Sequence, residues 1–339
     1  MSIKLEQNIS LGPLTTFKIG GRARLFLRAE RENDVAEAML FAASDGVPVF
    51  VLGGGSNILV SDEGFDGLVL QIALKGIAIQ GEAVTAKAGE EWDHFVEQCV
   101  AEDLAGVECM SGIPGFVGGT PVQNVGAYGQ EVADTIEEVR CFDRTSKQIV
   151  TLRNADCGFT YRTSIFNTTD RDRYIVLEVK YRLAKGGAPK VSYSDLRQRF
   201  QGHSPTLKDV RNAVIEIRRQ KSMVIDPSDP NSRSAGSFFK NPIVSRETLI
   251  RIEGEVGEVP FFDLGEQAKI PAAWLIERSG FPKGFVHGNA GISSNHTLAM
   301  INRGDAKAAD IVSLKNLIQE GVEAKFGIVL QPEPVFVGF

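Results

Sequence analysis

The sequence predicts a multidomain chain of mixed α and β structure, on three observations. At 339 residues it exceeds what one ordinary hydrophobic core organises, so two or three domains are expected. Apolar residues at helical spacing and strand-like alternating runs are interspersed along the chain. Between them lies Ser111 to Gln130, with six glycines (Gly112, Gly115, Gly118, Gly119, Gly126, Gly129), two prolines (Pro114, Pro121) and no charge. Glycine costs backbone entropy and proline lacks a donor, so this stretch makes a poor helix and a poor strand. It is too apolar for a solvated linker. Ordered, close-approach backbone whose N–H groups face something other than water remains. A large, flat, partly anionic cofactor fits that description; a buried crossover with tight turns is the alternative.

Composition narrows the class. Net charge is −6 with both signs mixed along the chain, so no basic face suggests nucleic acid. No apolar run approaches the roughly 20 residues of a membrane helix. The opening MSIKLEQNIS lacks a signal peptide's apolar core, and a cytoplasmic location is expected. Cys99, Cys109, Cys141 and Cys157 form no C-x-x-C pair and read as buried thiols, not bridges or metal ligands.

Taken in order, Thr15 to Arg22 is a turn-rich segment after a short arm. Asn33 to Asp45 reads as a helix stopped by Gly46. The β-branched run Val47 to Leu52 feeds Gly53-Gly54-Gly55-Ser56-Asn57, a way to present N–H groups to phosphate; a sharp structural turn is the alternative. The P-loop Lys-Ser/Thr and G-x-G-x-x-G are both absent. Short strands follow from Leu68 to Ala88. Glu91 to Leu104 is a helix whose aromatics read as core. Ile136 to Asp143 and Lys147 to Leu152 form a hairpin, and Tyr174 to Leu183 alternates as a strand. After the loop Lys185 to Lys190, Thr206 to Lys221 is an amphipathic helix with a basic end, and a domain boundary is placed near its start. Pro271 opens a helix that runs to Gly280, in keeping with the proline-first, glycine-last asymmetry. A last helix runs from about Asp305 to Phe326, and the chain closes on Pro332-Glu333-Pro334 and an apolar tail.

The four histidines are scattered without metal-ligand spacing, and no G-x-S-x-G elbow exists, so a cofactor is expected to carry the hard chemistry. Three constellations carry candidate chemistry. Arg162, among apolar and hydroxyl neighbours, suits a carboxylate or phosphate, or is a surface arginine between domains. Ser237 beside a glycine turn and two aromatics is a donor in a dry pocket, or a turn bond. Glu333 between two prolines is an orienting or acidic carboxylate, or an edge-strand glutamate.

The ordered set TFKIGG, GGGSN, SGIPG-x-VGG-x-P-x-QN-x-GAYGQE, YR-x-S-x-F, GSFFKNP and a terminal PEP-V-F resembles the UDP-N-acetylenolpyruvoylglucosamine reductase family over nearly the whole chain. The tyrosine of VSYSDL resembles that of its type I members. The resemblance implies an α+β protein: a two-lobed FAD-binding domain of the vanillyl-alcohol-oxidase (PCMH) type, at residues 1–67 and 68–205, and an α+β substrate-binding domain at 206–339. It implies non-covalent FAD, with NADPH as co-substrate, and a UDP-N-acetylglucosamine enolpyruvate substrate reduced to UDP-N-acetylmuramate for peptidoglycan. A cytoplasmic monomer without metal-ligand residues is expected. Gly53, Gly54, Gly55, Ser56 and Asn57 would hold the FAD pyrophosphate. Ile113, Gly118, Gln123, Asn124, Gly126 and Tyr128 would line the flavin. Arg162, Ser237 and Glu333 would be catalytic, with Arg162 on the substrate carboxylate and Ser237 the proton donor. Tyr161, Tyr193, Lys221, Asn241 and Lys269 would contact substrate, as would Asn295 or His296, between which the resemblance does not choose. The segment Ser222 to Ser234 is longer than in the best-known members. A flavin oxidase on the same cofactor fold, and a nucleotide-sugar sensor that keeps FAD as a structural element, are the competing readings.

Overall fold

The structure, a computed structural model, describes residues 3–339. Contacts divide these into two compact units. The first takes residues 3–9, 23–55 and 65–224; the second takes 10–22, 56–64 and 225–339.

The first unit contains a four-stranded and a five-stranded sheet, with two two-stranded pairs beside them. In the four-stranded sheet, Phe65–Ile72 lies between Arg22–Ala29 and Val49–Leu52 and runs parallel to both. Helix α1 (Glu32–Asp45) connects those flanking strands and buries Val35, Ala38 and Ala42. It begins one residue before the expected start, because the Asp34 carboxylate accepts from the N–H groups of Glu30 and Arg31 at 3.1 and 2.9 Å. Gly46 ends it at φ 63°, the left-handed conformation glycine adopts without strain. The five-stranded sheet is antiparallel, in the order Gln148–Arg153, Ile136–Asp143, Tyr174–Arg182, Ala83–Lys87, Ile77–Gln80. The expected hairpin is its outer pair. Helix α2 (Trp92–Ala101) is shorter than the expected Glu91 to Leu104. It packs Trp92 and Phe95 against the fully buried Tyr181, with Phe95 and Tyr181 centroids 4.8 Å apart.

Helix α3 (Ser194–Arg199) is a single short element. Helix α4 (Leu207–Gln220) starts at a capping box, with Thr206 Oγ1 accepting from Asp209 N at 3.2 Å. Such a cap is worth about 1 kcal/mol. Contacts assign this helix to the first unit, whereas the sequence reading put a boundary at 205/206. The reason is its apolar face: Val210, Ala213, Val214 and Ile217 cluster with Cys109 and Leu196, and Tyr128 packs on the same cluster. The unit boundary falls after Val224.

The second unit has a four-stranded antiparallel sheet, Ser234–Ser237, Ala299–Asn302, Ala290–Ile292, Val286–His287, and a three-stranded one, Ile243–Ser245, Gln267–Lys269, Phe262–Leu264. Helices α5 (Arg246–Val256), α6 (Ala272–Arg278) and α7 (Ala308–Phe326) complete it. Pro271 is the N-cap of α6. Helix α7 begins at Ala308, not Asp305, because the Asp62 carboxylate accepts from the N–H groups of Ala308 and Ala309 at 2.8 and 3.0 Å. Its stripe Ile311, Leu314, Ile318, Val322 and Phe326 enters the core as expected. The tail strand Val335–Val337 pairs in parallel with Ile58–Val60. All four cysteines are buried free thiols, and burial pushes Cys99 and Cys109 up to about 12. Among the described residues no helix is long and apolar enough to cross a membrane, and no cluster of His, Cys, Asp and Glu could hold a metal ion.

Candidate active site

In the first unit the glycine stretch is sewn onto the core by its backbone. Gly118 N donates to Ala88 O at 2.9 Å, Val117 N to Glu90 O at 2.8 Å, and Trp92 N to Gly115 O at 3.0 Å. Thr120 Oγ1 lies 3.0 Å from the Tyr181 hydroxyl. A Cβ at Gly118 would sit 2.6 Å from that of Ala88, and one at Gly54 2.7 Å from Gly115 Cα, so the loop Gly53-Gly54-Gly55 leans directly on the glycine stretch. Gly53 and Gly119 differ. A Cβ at either would meet nothing within 4 Å, and neither has a left-handed φ. Neither internal packing nor left-handed backbone demands glycine there, so the backbone at both positions stands open.

Three non-glycine residues of the expected site, Asn124, Tyr128 and Arg162, have φ of 46°, 48° and 55°. Such backbone is strained and persists only where surroundings over-determine it. Asn124 is 1 % exposed, and its side chain is committed to protein: Nδ2 donates to Glu131 Oε2 at 2.8 Å and Thr160 O at 3.0 Å, while Oδ1 accepts from Ala133 N at 3.1 Å. Its side chain therefore anchors the loop. Arg162 donates to Gly126 O at 2.7 Å and Asn124 O at 3.4 Å, so the arginine is fixed to the glycine stretch itself. It stacks 5.3 Å from the Tyr161 ring.

A charged network beneath the stretch is absent from the sequence reading. Asp93 accepts from Gly112 N at 2.6 Å and from both arms of the buried Arg211, at 2.6 and 3.0 Å. Burial raises the Asp93 carboxyl, but Arg211 and the Gly112 N–H outweigh it and hold it below the usual carboxylate range. Glu108, fully buried, accepts from Gly106 N, Gln130 Nε2 and Lys190 N. Arg218 is 7 % exposed; one arm donates to Met223 O at 2.8 Å, while its Nε has no hydrogen-bond partner among the described residues. A Cβ on Gly112 would lie 3.5 Å from that Nε. A buried guanidinium donor left unmet against a glycine loop fits the edge of an electron-rich, partly anionic ring system. One signal was available: Arg211 and Arg218, seven residues apart, share a face of an otherwise amphipathic helix.

Tyr128 meets Tyr193 edge to face, centroids 5.3 Å apart, and the Lys221 Nζ lies 5.8 Å from the Tyr128 ring. Lys221 pairs with Asp195 Oδ2 at 3.0 Å. Burial lowers the Lys221 ammonium, but Tyr128 and Asp195 outweigh it and the net shift is upward. Asp195, Gln198, Arg199, Ile217, Gln220 and Lys221 line an open cleft of about 440 Å³.

In the second unit, Ser237 ends its strand opposite Ala299, after Gly236 at φ 74°. Glu333 N donates to Phe238 O at 2.8 Å, so the Pro-Glu-Pro segment runs beside the serine's strand. Asn57 bonds the same segment: its Nδ2 donates to Glu333 O at 3.2 Å, and its carbonyl accepts from Val335 N at 3.0 Å. Thr16 Oγ1 donates to Ser56 O at 3.4 Å, which assigns the TFKIGG segment a scaffolding part. Asn241 Oδ1 accepts from Ala272 N at the start of α6. Lys269 Nζ lies 5.2 Å from the Phe262 ring. Ser237, Glu333, Asn57, Asn241 and Lys269 thus belong to one unit, and Arg162, Tyr161, Tyr193, Lys221 and the glycine stretch to the other.

A UDP-N-acetylenolpyruvoylglucosamine reductase of Thermobifida fusca is 44 % identical over 355 residues, covering 100 % of this chain and 99 % of the relative. The chain belongs to the UDP-N-acetylenolpyruvoylglucosamine reductase family. The relative from Streptomyces coelicolor is also 44 % identical, over 97 % of this chain and 89 % of its own. The family model for the reductase's C-terminal domain matches residues 227–337, and one for an FAD binding domain matches 23–152. The crystal structure of UDP-N-acetylenolpyruvylglucosamine reductase from Thermus caldophilus aligns with a TM-score of 0.71 at 25 % identity, over 99 % of both chains. The expected α+β class, an FAD-binding domain followed by a C-terminal domain, agrees with these matches. Open backbone at Gly53 and Gly119 and the unmet Arg218 Nε fit FAD within this reductase fold.

Proposed function

We propose that this chain reduces the enolpyruvyl double bond of UDP-N-acetylglucosamine enolpyruvate to UDP-N-acetylmuramate with NADPH, in a cytoplasmic step of peptidoglycan synthesis. Whole-chain identity to a named reductase carries this reading. Bound FAD supplies the hydride chemistry between NADPH and the double bond. Gly53 to Asn57 hold its pyrophosphate; Ile113, Gly118, Gln123, Gly126 and Tyr128 line the ring, with Asn124 as the loop's anchor. Arg162, held by the glycine stretch, grips the substrate carboxylate, where charge builds during the reaction. Ser237 delivers the proton to the neighbouring carbon, and Glu333 orients the carboxylate end. Tyr161, Tyr193, Lys221, Asn241 and Lys269 contact the rest of the substrate. We keep residues 1–67 and 68–205 as the two FAD lobes and 206–339 as the substrate-binding domain, and take the protein to act as a monomer.

The test is spectroscopic. Purified protein should carry a yellow flavin that NADPH bleaches without oxygen and that the enolpyruvyl substrate restores. Rapid restoration by oxygen with peroxide release would support an oxidase instead. Bound flavin that NADPH does not bleach would support the sensor.

Lys221 offers a sharper check of substrate placement. Its ammonium is paired with Asp195 beside Tyr128 and Tyr193, suited to exchange that carboxylate for a diphosphate oxygen. Lys221→Ala should weaken substrate affinity about 10–100-fold, the worth of one charge-assisted hydrogen bond, with FAD affinity unchanged. Calorimetric titration of the flavin-loaded variant reads this directly. A parental substrate affinity would remove Lys221 from the site.

A further inference from the structure

We propose that His296 is a proton relay for Ser237, and this inference rests on the reading of Ser237 as the proton donor. The serine's Oγ lies 3.4 Å from His296 Nε2. The sheet makes that approach a fixed one. Ser237 pairs with Ala299, and Phe238 N donates to Leu298 O at 2.8 Å, so the turn before Ala299 lies over the serine. The turn is closed on itself: Ser293 N donates to Ala299 O at 2.8 Å, and Ala299 N to His296 O at 3.0 Å. It is also tied down from outside. Ser294 N donates to Asn231 Oδ1 at 3.0 Å, and Thr297 Oγ1 bonds Glu277 on α6. The longer segment Ser222 to Ser234 thus has a folded part, in which Ser232 Oγ donates to the carbonyls of Asp226 and Asp229.

The chemistry asks for such a partner. Saturating one double bond takes a hydride, from NADPH, and one proton. A serine hydroxyl is a weak acid, and an alkoxide left after transfer in a closed site must be reprotonated before the next turnover. A histidine is the side chain that carries a proton near neutral pH. As the Oγ–H bond breaks and the C–H bond forms, Nε2–H gives its proton to Oγ. The serine ends as a hydroxyl and the imidazole as neutral. Solvent then returns one proton to the imidazole, so each cycle takes up one proton. Charged groups on the elements around this turn are Lys240 and Glu333 on the paired segments, Glu277 and Arg278 on α6, and Arg233, Asp226 and Asp229 in the segment joined through Asn231. His296 acts through Ser237 and is a positioning and relay residue; substrate contact alone would make it a binding residue.

The experiment compares the FAD-loaded wild type with His296→Gln and His296→Ala by rapid mixing from pH 5.5 to 9. The NADPH half-reaction and the substrate half-reaction are read separately, with substrate affinity by titration. The wild type should show a substrate half-reaction that falls as pH rises through the histidine range, with a solvent deuterium isotope effect. Both variants should lose that pH limb and run about 10–100-fold slower at pH 6, with flavin reduction by NADPH unchanged. Proton NMR should show the His296 titration displaced in Ser237→Ala. Variants that keep the limb and isotope effect, or that only weaken substrate affinity, overturn the relay while leaving the reductase reading intact. A wild type with no substrate half-reaction overturns both.

Discussion

Ser237→Ala is expected to leave flavin reduction by NADPH at the parental rate and to slow the substrate half-reaction by about 10²–10⁴-fold, the usual worth of a positioned proton donor. The selectivity is the informative part. Ser237 lies on the strand that neighbours Glu333 and faces His296, and the proposed proton delivery belongs to the substrate half-reaction alone. Alanine removes only Oγ from a half-buried position, and the strand bonds of Phe238 to Leu298 and Glu333 involve main chain alone. Folding should therefore survive, and a matched thermal midpoint is the control. Rapid-mixing traces decide the matter. Normal flavin reoxidation by substrate in the variant would remove Ser237 from its role and, with it, the relay through His296.

Gly54→Ala is expected to lower both stability and cofactor affinity. The added Cβ would stand 2.7 Å from Gly115 Cα and 3.1 Å from Phe116 N. These are backbone atoms of the glycine stretch and cannot swing aside like a side-chain tip. One of the two loops must move, at a cost of about 1–3 kcal/mol for an overpacked site. A misplaced cradle should then raise the FAD dissociation constant at least about tenfold, equivalent to about 1.4 kcal/mol. Gly119→Ala separates the two effects. Its Cβ meets nothing within 4 Å, so flavin-stripped protein should melt at the parental temperature while FAD affinity still falls. Thermal melts of stripped protein and fluorescence titration with FAD read the two quantities. Parental values of both for Gly54→Ala would refute the contact between the loops.

Much of the fold was legible because local rules and global packing agree. The stripe of α7 and the capped, amphipathic α4 appear as periodicity predicts. The differences lie where distant residues decide. Helix α7 starts three residues late because its first N–H groups belong to Asp62, far earlier in the chain. Helix α4 joins the first unit because its apolar face finds Cys109 and Tyr128, a partnership that amphipathicity alone does not specify. In the site, glycines and motif order were visible. The supporting charges were not, because Asp93 reads as one more acidic residue of a helix until Arg211 and the Gly112 N–H converge on it.

What the sequence alone determined was composition-level and motif-level: a chain needing more than one core, an uncharged glycine stretch unfit for helix, strand or linker, and an ordered set of motifs matching a reductase. Tertiary structure alone decided which glycines make room for neighbouring backbone and which stand open, which asparagine is an anchor, and that a histidine faces the serine. The physical reason is range. Propensity and periodicity act over a few residues, whereas close approach, burial of a guanidinium and the meeting of a histidine with a serine depend on segments that meet only when the chain has folded.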